Sequence, residues 1–153
     1  MWSLEALARN VLKLNADAAT KQVISNKSIQ LEAVRLNTEE QLYQRGVDVQ
    51  GNKMRSDYAR FGRFYANSTI AIKNEKNQPT DRVTLRDTGA MYKTEKPFIN
   101  GNELWLDMDT IKQGRDLTES FGQFVGLDKV SKGKLIEKAK PIVITYVRST
   151  VLQ

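Results

Sequence analysis

An Asn-Gly pair between two apolar runs restricts a chain's local structure strongly, and this chain carries one at Asn100-Gly101. Both residues accept positive φ at little cost, so the pair favours a type I′ hairpin turn. Phe98 and Ile99 precede it. Leu104, Leu106 and Met108 follow, alternating with Trp105, Asp107 and Asp109. A period of two places the first set on an apolar face and the second on the opposite face. Trp105 then belongs at an interface or beneath a helix. Residues 95–109 are predicted to form an antiparallel hairpin, which needs helices or further strands against its apolar face.

The segment just upstream supplies a candidate for that further strand. In residues 78–94, QPTDRVTLRDTGAMYKT, Gln78-Pro79 opens an extended stretch, because proline fixes φ and disfavours helix in the residue before it. Val83 and Leu85 alternate with Arg82, Thr84 and Arg86, which predicts a strand over 82–86. Asp87-Thr88-Gly89 ends it, and Asp or Thr there can cap a short helix carrying Met91 and Tyr92.

Helical signals fill most of the rest. Leu4, Leu7, Val11, Leu14 and Ala18 recur at spacings of three and four, a narrow seam suited to pairing with another helix. A long N-terminal helix is expected over 3–36, capped by Ser3 and loosening near 25–28. Thr38 and Gln41 match a capping box, so a second, short helix is predicted to start there and to end at Gly46. Residues 67–77 and 116–124 read as short helices. Asp128 caps a last helix over 129–151, with Pro141 predicting a kink or two abutting helices. The expected fold is α+β: a small antiparallel sheet with helices packed on one face and a long N-terminal helix. Residues 1–36 are expected to form a helical arm, and 37–153 a single α+β domain.

Composition then narrows the chemistry. The 153-residue chain has no cysteine and no histidine. That removes disulfides, thiolate nucleophiles, the commonest general base and the commonest transition-metal ligand. The sequence therefore predicts no catalytic residues, no metal and no cofactor. Asp48, Gln50 and Asn52 around Gly51 lack the acids and terminal Glu of a calcium loop. Asp107 and Asp109 fit the polar side and end of a strand better than a two-metal site. No secretory signal is evident, and the apolar run at 142–147 is far too short to span a bilayer, so no membrane partner is expected.

Lys and Arg total 24 against 18 Asp and Glu, a net charge of +6. The charges lie in blocks: eight basic to three acidic over 53–86, two to six over 101–128, and six to one over 129–148. Alternating blocks suit subunits with complementary faces, a basic surface near nucleic acid, or simply a solvated exterior. The most distinctive local mixture is residues 55–65, RSDYARFGRFY, with Tyr58, Arg60, Phe61 and Arg63. Rings and cations together serve single-stranded nucleic acid, a protein interface or core packing. Tyr58, Arg60, Phe61, Arg63 and Trp105 are the candidate interface residues.

Three stretches taken in order carry a resemblance: LNTEEQLYQRGVDVQG at 36–51, STIAIKNEKNQP at 68–79 and TDRVTLRDTGAMYKT at 80–94. Together they resemble small virion proteins of tailed phages, notably those of Bacteroidetes hosts, over about two thirds of the chain. The LRDTG element at 85–89 is also similar to the Leu-x-x-Thr-Gly signature of neck and tail-completion proteins. The resemblance implies a structural, non-enzymatic head–tail connector protein that forms a homo-oligomeric ring. It implies portal, connector or tail proteins as partners, non-specific contact with packaged DNA, synthesis in the host cytoplasm and residence in the virion. The alternative carried beside it is a basic nucleic-acid-binding accessory protein.

Overall fold

Two asparagines divide the N-terminal helical region. The computed structural model describes residues 4–59 and 62–152. In it α1 (Leu4–Leu12), α2 (Ala16–Ile24) and α3 (Lys27–Arg35) are separate helices of nine residues each. Asn15 adopts extended backbone and its side chain accepts from the Asp17 and Ala18 amides; Asn26 does the same for the Ser28 amide. Asparagine is among the strongest N-cap residues because its short side chain satisfies the orphan donors of a first turn. The expected single long N-terminal helix is therefore overturned. Ser3 and the side chains of Leu4 and Leu7 lie outside the described residues.

The long helix is C-terminal instead: α7 (Lys129–Val151) has 23 residues and runs through Pro141. Asp128 caps it as expected, accepting from the Ser131 amide at 2.9 Å. Helices α1, α2 and α3 all pack along α7. Asn10 Nδ2 donates to Val151 O at 3.2 Å, tying the first helix to the last turn of α7.

No helix begins at Thr38. Helix α3 continues without interruption into a ten-residue π-helical segment, Leu36–Arg45. Such helix, broader than an α-helix because its hydrogen bonds span five residues, is rare and usually limited to single-turn bulges. The residues that resemble a capping box have other work. Thr38 Oγ1 donates back to Val34 O at 2.8 Å. Asn37 and Gln41 are fully buried and bind a segment more than 80 residues away. Asn37 Nδ2 donates to Phe124 O and Gly126 O, both at 2.9 Å. Gln41 donates to Gly126 O at 2.9 Å and accepts from the Asp128 amide at 2.8 Å. One turn on, Arg45 forms a bidentate pair with Asp128 at 2.6 and 2.8 Å and donates to Ser131 Oγ at 2.8 Å. This polar face fixes the start of α7 against the π-helical segment.

The segment ends at Gly46 as the sequence predicts, in the left-handed region at φ 61°. Two requirements meet there. Only glycine adopts this backbone cheaply, and a Cβ would stand 2.8 Å from Val83 O and 2.9 Å from Arg82 Cβ. Gly46 thus seats residues 82–83 on the helix end.

The sheets are small. β1 (Lys96–Asn100) pairs antiparallel with β2 (Glu103–Asp107), and β3 (Ile111–Lys112) with β4 (Arg115–Asp116). The predicted hairpin is present, but Asn100 pairs with Glu103, so its turn is Gly101-Asn102. Gly101 has φ 60° and Asn102 does not have positive φ, the signature of a type II′ turn. The second hairpin turns at Gln113-Gly114, both at positive φ, the pattern of type I′. Helix α3 lies against β1 and β2. The architecture is α+β, with its long helix at the C-terminus.

The main core cluster is Leu42, Met54, Tyr65, Val83, Tyr92, Met108 and Phe124. Only Leu42 and Tyr92 of these lie in helices, and none lies in a strand. The core is thus assembled largely by loops, held by polar contacts such as those of Asn37 and Gln41.

Candidate functional site

Residues 82–86 form no strand. The period-two alternation is present, with Val83 fully buried, but the backbone finds its partners in side chains. The Thr84 amide donates to Tyr65 Oη at 2.8 Å, and Tyr92 Oη donates to Thr84 O. Two phenols thus satisfy both backbone polar groups of a fully buried residue in place of a neighbouring strand, as a buried backbone requires. Burial raises both tyrosines above the usual phenol value, which keeps their hydrogens in place. Leu85 follows at φ 54°, a left-handed conformation unfavourable for a bulky L-residue. The chain then turns through Asp87-Thr88-Gly89 into α5 (Ala90–Thr94), with Gly89 at φ 81°.

Helix α4 (Asn67–Glu75), predicted from sequence, brings Lys73 to this node. Lys73 is only 7 % exposed. Its ammonium donates to Gln78 Oε1 at 3.2 Å, Arg86 O at 3.2 Å and Thr84 Oγ1 at 3.4 Å, and lies 4.9 Å from the centre of the Tyr65 ring. All three acceptors are neutral. Burial lowers its pKa, and Asp87 only partly opposes that shift. Asp87 itself is held by Lys76 and, at 3.4 Å, by Lys112. Those ammonium groups depress its carboxyl below the usual value, the Lys76 hydrogen bond contributing most. A cavity of about 390 Å³ opens here, lined by Ile72, Lys73, Leu85, Asp87, Lys112 and Phe121, among others. Arg86 also lines the cavity, and its guanidinium stacks 4.8 Å from the Tyr43 ring centre and meets Glu39 at 3.6 Å.

A second surface lies on the β1–β2 hairpin. Phe98 and Trp105 stand opposite each other across the strands and stack with centroids 6.4 Å apart. They are 45 % and 48 % exposed, so the outer face of the hairpin presents a two-ring apolar patch to solvent. Trp105 Nε1 donates to Glu103 Oε2 at 3.0 Å, which fixes the indole. Lys96 and Asp107 form the neighbouring cross-strand pair on that face.

The candidate interface residues fare differently. Trp105 is on the exposed face, as alternation predicts. Tyr58 is 74 % exposed in the loop before Tyr65. Arg63 donates to Asn67 Oδ1 at 2.7 Å at the start of α4. Arg60 and Phe61 lie outside the described residues. Among the remaining aromatics of that stretch, Tyr65 is core and Phe64 packs against it.

Compared with known protein families, curated proteins and solved structures, the chain matches none at a significant level.

The charged blocks are partly spent within the chain. Lys134 pairs with Glu40, Lys138 with Glu32 at 3.2 Å, and Lys140 with Glu137 at 2.6 Å. Asp128 is held by Arg45, and Asp116 caps α6 (Leu117–Phe121) while accepting from Thr110 Oγ1. Among the described residues, no group of three acidic side chains is placed to hold a metal ion, and no helix is long and apolar enough to cross a membrane.

Proposed function

We propose that this chain is a structural component of a tailed-phage virion, a head–tail connector of the neck or tail-completion kind. Its resemblance over residues 36–51 and 68–94 supports this reading. The structural observation that supports it best is the exposed Phe98–Trp105 pair on the solvent-facing side of the hairpin. Paired aromatic rings with a polar rim are the composition of an interface centre.

A closed ring requires heterologous contacts, in which two different patches of each copy meet. The chain offers a second patch on α7, where Ile136, Val143, Ile144 and Val147 are all exposed. In this account the hairpin face of one copy seats on α7 of the next. Ring faces then bind portal, connector or tail proteins, and the basic surface passes close to packaged DNA. The protein is made in the host cytoplasm and resides in the virion.

Gold-labelled antibody against the chain, applied to phage particles from a lysate carrying this gene, tests the placement. Label concentrated at the head–tail junction is the expected result. Particles labelled on the capsid or fibres, or carrying no label, would overturn the assignment.

A further inference from the structure

We propose that the cavity headed by Lys73 is a binding site for a carboxylate carried on an apolar body. Its architecture is two-sided. Ile72, Leu85, Leu117 and Phe121 supply apolar wall, and Lys73, Lys76 and Lys112 supply ammonium groups, with Asp87 the one carboxylate among the lining residues. Its volume of about 390 Å³ lies in the range of small-molecule sites. Ile72 is half exposed, so the cavity is open to solvent.

Three observations point to an anion. Among the described residues no carboxylate lies within ion-pair distance of the buried Lys73 ammonium, whose hydrogen bonds all go to neutral oxygens. A buried charge without a counter-charge is costly. Next, Asp87 already shows that this cluster accepts a carboxylate, because Lys76 and Lys112 both hold it. Finally, the wall residue Leu85 is kept at φ 54°, and backbone held in such a region gathers at binding sites. An incoming carboxylate shares Lys76 and Lys112 with Asp87 and lies close to the Lys73 charge, while its apolar body covers Phe121 and Leu117. The carboxylate can belong to a free organic acid or to an acidic side chain of a neighbouring protein. This inference stands apart from the connector reading.

The test is a two-dimensional amide NMR titration of the intact chain with sodium 4-phenylbutyrate. Sodium acetate and 4-phenyl-1-butanol serve as controls for charge alone and apolar body alone. Saturable shifts at Thr84, Leu85, Asp87 and Lys112 are expected, with both controls binding about tenfold more weakly or less. Lys112→Gln, at a half-exposed position, is expected to weaken binding about tenfold with other resonances unmoved. Asp87→Asn removes the internal competitor and is expected to tighten it. A second titration with acetyl-Phe-Glu-Phe-amide names the source: tighter binding by the peptide assigns the site to a protein segment, tighter binding by phenylbutyrate to a free acid. The proposal is overturned if phenylbutyrate gives no saturable shift at these residues. It is equally overturned if phenylbutanol binds as well, or if Lys112→Gln binds as tightly as the natural chain.

Discussion

Glu95 joins α5 to the hairpin with its carboxylate buried, and neither oxygen has a hydrogen-bond partner among the described residues. Burial pushes its pKa up to about 8. The folded state therefore holds this proton at pH values where the unfolded chain, near 4.5, has lost it. Stability from this group is fully present below pH 4.5, declines from there to about 8, and is flat above that. With no histidine in the chain, few other side chains ordinarily titrate inside that window. Glu95→Gln is expected to leave stability near pH 5 almost unchanged and to raise it at pH 8.5. The gain is a few kcal/mol at most, because each tenfold change in proton affinity is worth about 1.4 kcal/mol. Urea unfolding of both proteins across this range checks it, and an unchanged pH slope would contradict it. Gly46→Ala adds both left-handed strain and a clash with Val83 O, and should cost about 2 kcal/mol or more in the same assay.

Among the elements, the backbone N–H and C=O of Thr84 take from Tyr65 and Tyr92 what a strand residue takes from its neighbour. Tyr65→Phe and Tyr92→Phe are each expected to destabilise the fold by about 1–3 kcal/mol, because each leaves a buried backbone group unpaired. Their double variant should depart from additivity, since both act on one residue. Two independent, additive losses in chemical denaturation would argue against a shared node. This node also explains what the sequence could and could not convey. Alternation at 82–86 correctly marks Val83 as buried, but the phenols that replace a strand come from 19 residues before Thr84 and 8 after it. The polar run Asn37-Thr38-Gln41 imitates a helix start because caps and buried anchors use the same side chains. Only the distant loop at 124–128 decides between them. Asn15 and Asn26 carry cap chemistry in the sequence itself, but the apolar seam from Leu4 to Ala18 runs across Asn15 and masks the first break. In the hairpin, alternation marks both faces, while the glycine's own preference moves the turn by one residue. Lys73 shares a face with Ile70 at a spacing of three, the only local hint that this lysine is buried rather than solvated.

Across the whole molecule, α1, α2 and α3 spend much of their surface on α7, and Glu32 and Glu40 neutralise lysines of α7. These exposed pairs are worth little to stability individually, but they reduce the charge available to a neighbouring copy. Assembly should therefore depend more on the apolar patches than on the charged blocks. Alternation alone points to Trp105, yet Phe98 enters the patch only through the register that sets it opposite Trp105. The most direct test is absolute mass by light scattering over a wide concentration range at low and high salt, with negative-stain imaging of any large species. The natural chain should form closed rings at a multiple of its 17.4 kDa mass, and a Phe98→Ser, Trp105→Ser double variant should remain monomeric with its helical signal intact. A natural chain that stays at 17.4 kDa under every condition, or rings that survive loss of both aromatic residues, would contradict the account.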